Sequence, residues 1–365
     1  MVRKVVDRDH TSTSSRHQYE RVVEDQSDVY FVAEAGVNHN GDIDMARDLV
    51  DAAADSGADA VKFQTFRADR LVTPEADRAD YQQERTDDES QYQMLERYEL
   101  DCEAHERLQA YCRERDITFL STPFDAESAD LLDELNVPLV KLGSGELNNT
   151  PLLEHVAGFG RPMIVSTGMG TLEEVRDAAA TIREVAPELH VAFLHCVSAY
   201  PTPTEDVNLR AMDTLAEVVD GPVGFSDHTT DVETPALAVA AGADIVEKHF
   251  TLDSTLPGPD HEASLEPDEL DRAVSLARTA AQARGSGEKQ PTEAEQENVH
   301  TIRKSIHAAT DIAEGERFTE DNLAILRPAS GLAPTEYESV LGERATAPLE
   351  AGDPITGDTV EGPVQ

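Results

Sequence analysis

The 365-residue chain carries 73 acidic against 30 basic residues, a net charge of −43 that excludes nucleic acid as a partner. Only six basic residues are lysines (Lys4, Lys62, Lys141, Lys248, Lys289, Lys304), an acid-rich, lysine-poor balance expected of a salt-loaded cytoplasm, where molar salt shrinks the Debye length to about 3 Å. The first 27 residues lack a signal-peptide core, no stretch approaches the roughly 20 apolar residues of a membrane span, and Cys102, Cys112 and Cys196 have neither disulfide nor metal-knuckle spacing, which points to a soluble protein of a reducing compartment.

Residues 1–27 read as an N-terminal extension. From Val29 onward a short β-branched run, a polar tip and an acidic helix-like segment recur eight times. The runs are Val29–Ala33, Ala60–Phe63, Ile117–Leu120, Leu139–Leu142, Met163–Val165, Val191–Leu194, Val223–Phe225 and Ile245–Val246. Between them, stretches such as Ile43–Ala54 and Leu172–Val185 place alanine and leucine at helical spacing. No Gly-x-Gly-x-x-Gly loop follows the first run, so the alternation predicts a closed α/β barrel, the (β/α)₈ TIM barrel, over 28–284 rather than a doubly wound sheet. Its last helix is Pro267–Arg284. A linker with Gly-Ser-Gly punctuation is expected at 285–299. Residues 300–365 then read as a compact module of short strand-like pieces, at a size of about 60 residues that is marginal for folding alone.

Barrel enzymes place their chemistry at the carboxyl ends of the strands. There the sequence has Glu34, Lys62 with Gln64, Ser121 with Thr122, Lys141 with Ser144, Ser166 with Thr167, His195, His228 and His249. Alternation puts Lys62 with Gln64, Ser226 with His228, and Glu247 with His249 on shared faces that can converge on one cavity, although any one polar tip is ordinary at a solvent-facing end. In a chain so poor in lysine, Lys62, Lys141 and Lys248 within strands call for anions. A phosphate and a carboxylate on a substrate would serve, with Thr122, Ser144 and Ser226 completing the hydrogen bonds, and so would structural pairing with Glu34 or Glu146. Lys248 falls on the face opposite His249 and is left outside the site.

His228 and His249 end consecutive strands and so become neighbours. Two imidazoles suggest a divalent metal with open positions, manganese, iron, cobalt or zinc rather than calcium. His195 is expected to hydrogen-bond inside the barrel behind the reacting groups, and Asp227 either to orient an imidazole or to cap the next helix. Asp260 and His261 follow Pro-Gly-Pro in a loop above the mouth, suited to sugar hydroxyls or simply a stiff acidic surface loop.

The same residues lie in blocks that resemble the sialic acid synthase family, whose members make N-acetylneuraminate or N,N'-diacetyllegionaminate and end in an antifreeze-like (SAF) domain. The blocks are Ala33-Glu-Ala-Gly-Val-Asn-His-Asn-Gly41, Val61-Lys-Phe-Gln-Thr65, Ser121-Thr-Pro-Phe124, Lys141-Leu-Gly-Ser-Gly-Glu146, Ser166-Thr-Gly-Met169, Leu194-His-Cys196 with Tyr200-Pro-Thr-Pro203, Gly224-Phe-Ser-Asp-His228, Glu247-Lys-His-Phe-Thr251 and Gly258-Pro-Asp260, with Asn322 to Pro328 in the tail. The resemblance implies phosphoenolpyruvate near Lys62, Thr122, Lys141, Ser144 and Ser226. It implies that His228 and His249 hold a divalent metal, commonly Mn²⁺, with Mg²⁺ or Co²⁺ as substitutes. It also implies that Glu34, Gln64, Tyr200 and Asp260 face an N-acylated amino sugar, that Arg327 reaches its acyl group from a partner's tail, and that the protein is a domain-swapped homodimer. The residues assigned to catalysis on this basis are Glu34, Lys62, Lys141, Tyr200 and Asp260.

Ser198, where some relatives carry asparagine, and Thr301, aromatic in some, leave the sugar open between N-acetylmannosamine and 2,4-diacetamido-2,4,6-trideoxymannose. The segment from Tyr81 to Glu96 resembles bacterial synthases of both kinds. Two other classes stay in view. One is a metal-independent Schiff-base aldolase using Lys62 or Lys141, and the other is a carbohydrate-binding barrel without activity.

Overall fold

A computed structural model describes residues 29–78 and 90–362. The N-terminal extension and Tyr81–Glu84 lie outside the described residues. The described chain forms two compact units, divided between Ser286 and Gly287.

The first unit is a ring of eight parallel strands: β1 (Tyr30–Gly36), β2 (Ala60–Thr65), β3 (Thr118–Pro123), β4 (Val140–Leu142), β5 (Met163–Ser166), β6 (Val191–Cys196), β7 (Val223–Asp227) and β8 (Ile245–His249). Neighbours run in the order β3-β2-β1-β8-β7-β6-β5-β4, and β3 packs against β4 to close the barrel. All eight expected strands are present. Most run one to three residues further towards the carboxyl end than their apolar runs, because backbone pairing continues through side chains that point alternately to two sides; Asp227 pairs Lys248 in the β7–β8 ladder.

That alternation organises the unit. One parity, with Phe31, Phe63, Phe119, Val140, Val165, Phe193, Phe225 and Val246, packs outward beneath the helices. The other, with Tyr30, Val32, Ala60, Leu120, Leu139, Ile164, Leu194 and Ile245, fills the lower interior. Each of the buried Val, Leu, Ile and Phe side chains among them contributes about 1.5–3 kcal/mol. Above that layer the inward parity changes character, and the next inward residues are Glu34, Lys62, Thr122, Lys141, Ser166, Cys196, Ser226 and Glu247. The surrounding helices start on side chains suited to an acidic chain. Asp42, Asp101 and Asp125 accept the first free backbone amides of Ile43–Asp55, Cys102–Glu114 and Ala126–Glu134, and Thr171 with Glu174 forms a capping box for Leu172–Val185.

In the second unit β9 (Ser305–Ala308) pairs antiparallel with β10 (Leu323–Leu326) over a core of Ile306, Ile312, Phe318, Leu323, Val340, Leu349 and Ile355. Part of the stretch expected as linker is helical, Glu293–Ile302, started by a Thr292/Glu295 capping box. No helix among the described residues is long and apolar enough to cross a membrane.

Candidate active site

At the carboxyl ends of the strands lies a cavity of about 390 Å³. Its lining includes Glu34, Lys62, Gln64, Thr122, Lys141, Ser144, Tyr200, Ser226, His228, His249 and Asp260, eleven of the twelve site residues expected from sequence. Arg327 belongs to the second unit, exposed just after β10.

The floor is a buried charge cluster. Lys62 Nζ lies 2.8 Å from Glu34 Oε2 and 3.7 Å from Glu247 Oε2, and Lys141 Nζ lies 3.3 Å from Glu247 Oε1. Lys62 also donates to Thr122 Oγ1 at 2.9 Å, and Ser226 Oγ donates to Glu247 Oε1 at 3.0 Å. All four charged groups are at most 4 % exposed, so their ionisation is set by one another and by the loss of water. Burial pushes Glu34 up to about 7, against the pull of Lys62. Burial also works against Glu247, but Lys141 and Lys62 outweigh it and hold that carboxyl down at about 2. Lys62 is raised because its two carboxylates overcome burial, whereas burial leaves Lys141 lowered. The lysines thus do pair with a barrel glutamate, but the second partner is Glu247 and not Glu146, which accepts from Asn149 instead.

Glu247 lies on the inward face of His249, as the alternation of β8 predicts, but the sequence reading gave it no role among the site residues. Three residues expected near the chemistry point the other way. His195 donates through Nε2 to the Val207 carbonyl at 2.8 Å, on the outward parity of β6, not inside the barrel. Asp227 neither orients an imidazole nor caps a helix; it pairs with Lys248 at 2.8 Å on the outward face and accepts from the Thr229 amide. Ser121 is likewise outward, within 2.7 Å of the Thr65 hydroxyl.

On the β7–β8 side, the His228 and His249 rings stand 5.4 Å apart, with the Tyr200 ring 4.2 Å from the first and 5.9 Å from the second. His228 Nδ1 lies 2.7 Å from the Val197 carbonyl, a contact that places the proton there and leaves Nε2 as the lone-pair nitrogen. Burial, then the neighbouring His228, holds His249 well below the usual histidine range, and its buried Nδ1 has no hydrogen-bond partner. For His228, burial is outweighed by the Cys196 thiol 3.7 Å away, which raises it, so a cation would bind in competition with a proton. Two imidazoles with an orphaned buried nitrogen fit a borderline divalent cation. Glu247 Oε2, also buried without a hydrogen-bond partner, lies on the same strand two residues away.

Towards the mouth, Gly36 sits at φ +53°, where an L-residue is strained. A Cβ there would lie 3.3 Å from Glu34 Oε1, 3.4 Å from Gln64 Nε2 and 3.6 Å from Asp260 Oδ2, so the glycine keeps open the point where these three converge. Gly168 does the same for Ser144, whose hydroxyl accepts the Gly168 amide at 2.9 Å; a Cβ would meet the Ser198 and Ser144 hydroxyls at 2.3 and 2.8 Å. His261, in the loop with Asp260, is turned inward onto Thr251 Oγ1 at 2.6 Å and serves the loop's structure. Sequence reasoning also gave no role to Met94, Leu95 and Tyr98, which line the cavity from helix Gln91–Tyr98; nothing in their spacing tied that helix to the barrel mouth.

The NeuB family model matches residues 49–289, and the SAF domain model matches 303–361. The N,N'-diacetyllegionaminic acid synthase of Campylobacter jejuni is 46 % identical over 86 % of this chain and 95 % of its own length. That of Legionella pneumophila is 44 % identical over 91 % and 94 %. The crystal structure of an N-acetylneuraminic acid synthetase from Leptospira borgpetersenii superposes with a TM-score of 0.67 at 34 % identity, covering 75 % of this chain and 91 % of that one.

Proposed function

The chain belongs to the NeuB family, an enzyme family of synthases, and from that premise we propose that it condenses phosphoenolpyruvate with an N-acylated mannosamine-type sugar and water, giving a nonulosonic acid and inorganic phosphate. The observation that carries the reading is the buried Glu34–Lys62–Glu247–Lys141 floor. Two ammonium groups with inward hydroxyls at Thr122, Ser144 and Ser226 suit a small, doubly anionic substrate such as an enol phosphate carboxylate, which would take over charge that Glu247 now neutralises.

In this reaction C3 of phosphoenolpyruvate bonds to the open-chain sugar aldehyde, whose oxygen takes up a proton. Water then bonds to C2 and gives up a proton, and phosphate departs with the C–O bond. Lys62 and Lys141 stabilise charge on the carboxylate and the departing phosphate. Glu34, poised near neutrality and within reach of the Gln64 and Asp260 side, is the carboxyl that accepts and returns the proton. Tyr200 and Asp260 hold the sugar against the imidazoles, and the partner subunit's Arg327 reaches its acyl group. His228 and His249 would hold the divalent cation, Mn²⁺ with Mg²⁺ or Co²⁺ as substitutes, which supplies Lewis-acid polarisation of a carbonyl oxygen. The working form is a homodimer in a reducing, salt-rich cytoplasm.

The test is phosphate release from phosphoenolpyruvate in molar KCl with Mn²⁺, with N-acetylmannosamine and 2,4-diacetamido-2,4,6-trideoxymannose offered in turn. Release that depends on either sugar supports the reading; release with neither, from folded protein with bound metal, sinks it. The lowered Lys141 amine is what an aldolase would use, so borohydride trapping of pyruvate on Lys141 would identify that chemistry instead.

A further inference from the structure

The loop after β1 reaches sideways to the loop that carries Asp260. It is built of successive tight turns: the Asn38 amide donates to the Ala35 carbonyl at 2.9 Å, that of Asn40 to Val37 at 3.0 Å and that of Asp42 to His39 at 2.8 Å. The Gly41 amide adds a bond to His39 Nδ1 at 2.9 Å. From this frame the buried Asn38 side chain donates through Nδ2 to the Phe250 carbonyl at 2.8 Å and to Ser264 Oγ at 3.0 Å. Phe250, the residue after β8, is itself tied to β1, its amide donating to the Glu34 carbonyl at 3.0 Å. Ser264 Oγ donates in turn to the Asp260 carbonyl at 2.6 Å.

Proton counting fixes the direction of this chain. The Phe250 and Asp260 carbonyls only accept. Asn38 must therefore present its nitrogen, and the Ser264 hydroxyl must give its one proton to Asp260 and keep a lone pair for Asn38. Asn38 Oδ1 is buried without a hydrogen-bond partner, so the two donated bonds alone orient the amide. A second contact runs alongside: Asn40 Oδ1 accepts from His261 Nε2 at 3.3 Å, and His261 Nδ1 lies 2.6 Å from Thr251 Oγ1. The Asp260 loop is thus referred to β1 and to the end of β8 at two successive residues. Asn38, Asn40 and Ser264 are not among the residues that line the cavity.

Resting on the sugar contact proposed above for Asp260, we infer that Asn38, acting through Ser264, is a positioning residue that sets the Asp260 carboxylate against the sugar from outside the cavity. Asp260 comes beside Glu34 and Gln64 at Gly36, and a misplacement of about 1 Å at such a point is enough to cost up to a hundredfold in rate. The Asn38–Ser264 link holds the Asp260 backbone against that shift.

The experiment measures kcat and the KM of each substrate by phosphate release, in the full-length protein with Mn²⁺ and high salt, using whichever of the two sugars turns over faster. The variants are Ser264→Ala, Ser264→Thr, Asn38→Ala and the double Asn38→Ala with Ser264→Ala. Ser264→Ala should raise KM for the sugar about tenfold, the scale of one hydrogen bond, and leave KM for phosphoenolpyruvate in place. Ser264→Thr keeps the hydroxyl and should stay near wild type. The double variant should lose no more than the larger single loss, because both residues act along one path. A sugar KM unmoved by Ser264→Ala, an equal rise in both KM values, an equal rise in Ser264→Thr, or losses that multiply in the double variant overturns the inference and leaves the condensation standing. Absence of release from the wild type with either sugar overturns both.

Discussion

Lys248 and Asp227 form an ion pair of 2.8 Å in which neither side chain has any solvent exposure. The pair lies on the outward parity of β8 and β7, back to back with the Glu247–Ser226 contact that faces the cavity. Lys248 also donates to the Thr229 carbonyl at 2.5 Å and the Thr229 hydroxyl at 3.1 Å, so the ammonium is satisfied without water. Asp227→Ala strands that buried charge and should cost about 3–5 kcal/mol, read as a fall in the urea midpoint at fixed salt. The double variant Asp227→Leu with Lys248→Met should cost clearly less than the two single changes added together, because it removes both charges. Additive losses would mean that the two side chains are not coupled.

Glu34 gives a pH prediction whose sign follows from its environment. Burial raises it to about 7, so in the free enzyme it is largely protonated below that pH and ionised above it. If Glu34 is the proton acceptor proposed above, its ionised form is the active one. The profile of kcat/KM for phosphoenolpyruvate should therefore fall as pH drops through about 7, a limb that reports the free enzyme. Glu34→Gln should remove the limb and lower kcat by a hundredfold or more, within the usual range for losing a general base. A limb that persists unchanged in Glu34→Gln would assign it to another group.

Much of this site was legible because a barrel strand has a period of two. Once Lys62 and Gln64 are placed on one face, Glu34, Thr122, Lys141, Ser226, His228 and His249 follow from their positions at the ends of the runs. The same rule places Glu247 beside His249, but its pairing with two lysines from β2 and β4 is set by ring closure, which no local pattern encodes. His195 and Asp227 were misplaced for a related reason: a residue at a strand tip is inward or outward by parity alone, and the expected runs stopped short of the true ends. Met94, Leu95 and Tyr98 escaped notice because helix Gln91–Tyr98 reaches the cavity through tertiary packing with Phe66 and Phe124. The helix at Glu293–Ile302 was hidden by the Gly-Ser-Gly that precedes it.

The paired imidazoles predict a loss of metal together with a loss of activity. His228→Ala and His249→Ala should each abolish phosphate release, lower bound manganese in dialysed protein, and leave the far-UV circular dichroism as it is. Full activity in either variant would remove the metal assignment. A useful third variant is His228→Gln. It keeps a hydrogen-bonding side chain near the Val197 carbonyl but lacks the imidazole lone pair, so it should lose metal as His228→Ala does.

Arg327 gives a prediction that separates the two substrates. If its guanidinium binds the acyl group of the sugar, Arg327→Ala should raise KM for the sugar about tenfold, the scale of one charge-assisted hydrogen bond, and leave KM for phosphoenolpyruvate in place. A change in both constants would point to a structural role in the second unit instead.

Salt should act on this protein in the direction opposite to that expected from its local ion pairs. Arg115 with Asp51 and Asp55, Arg161 with Asp133, and Arg183 with Asp220 are exposed or half-exposed pairs that salt weakens, and each contributes little. Against them stands an excess of 43 negative charges over a chain with only 30 cations, whose mutual repulsion extends over about 10 Å at 0.1 M salt and about 3 Å at 1 M. The excess outweighs the pairs, so the thermal midpoint should rise steadily from 0.1 to 2 M KCl. NaCl should give a similar rise at equal ionic strength, since screening depends on charge and concentration. Sucrose, which stabilises by exclusion without screening, should not reproduce the low-salt part of the curve. A protein that is as stable and as active at 0.1 M KCl as at 2 M would show that its acidic surface is tolerated without salt, and the reading of its composition as salt adaptation would fall.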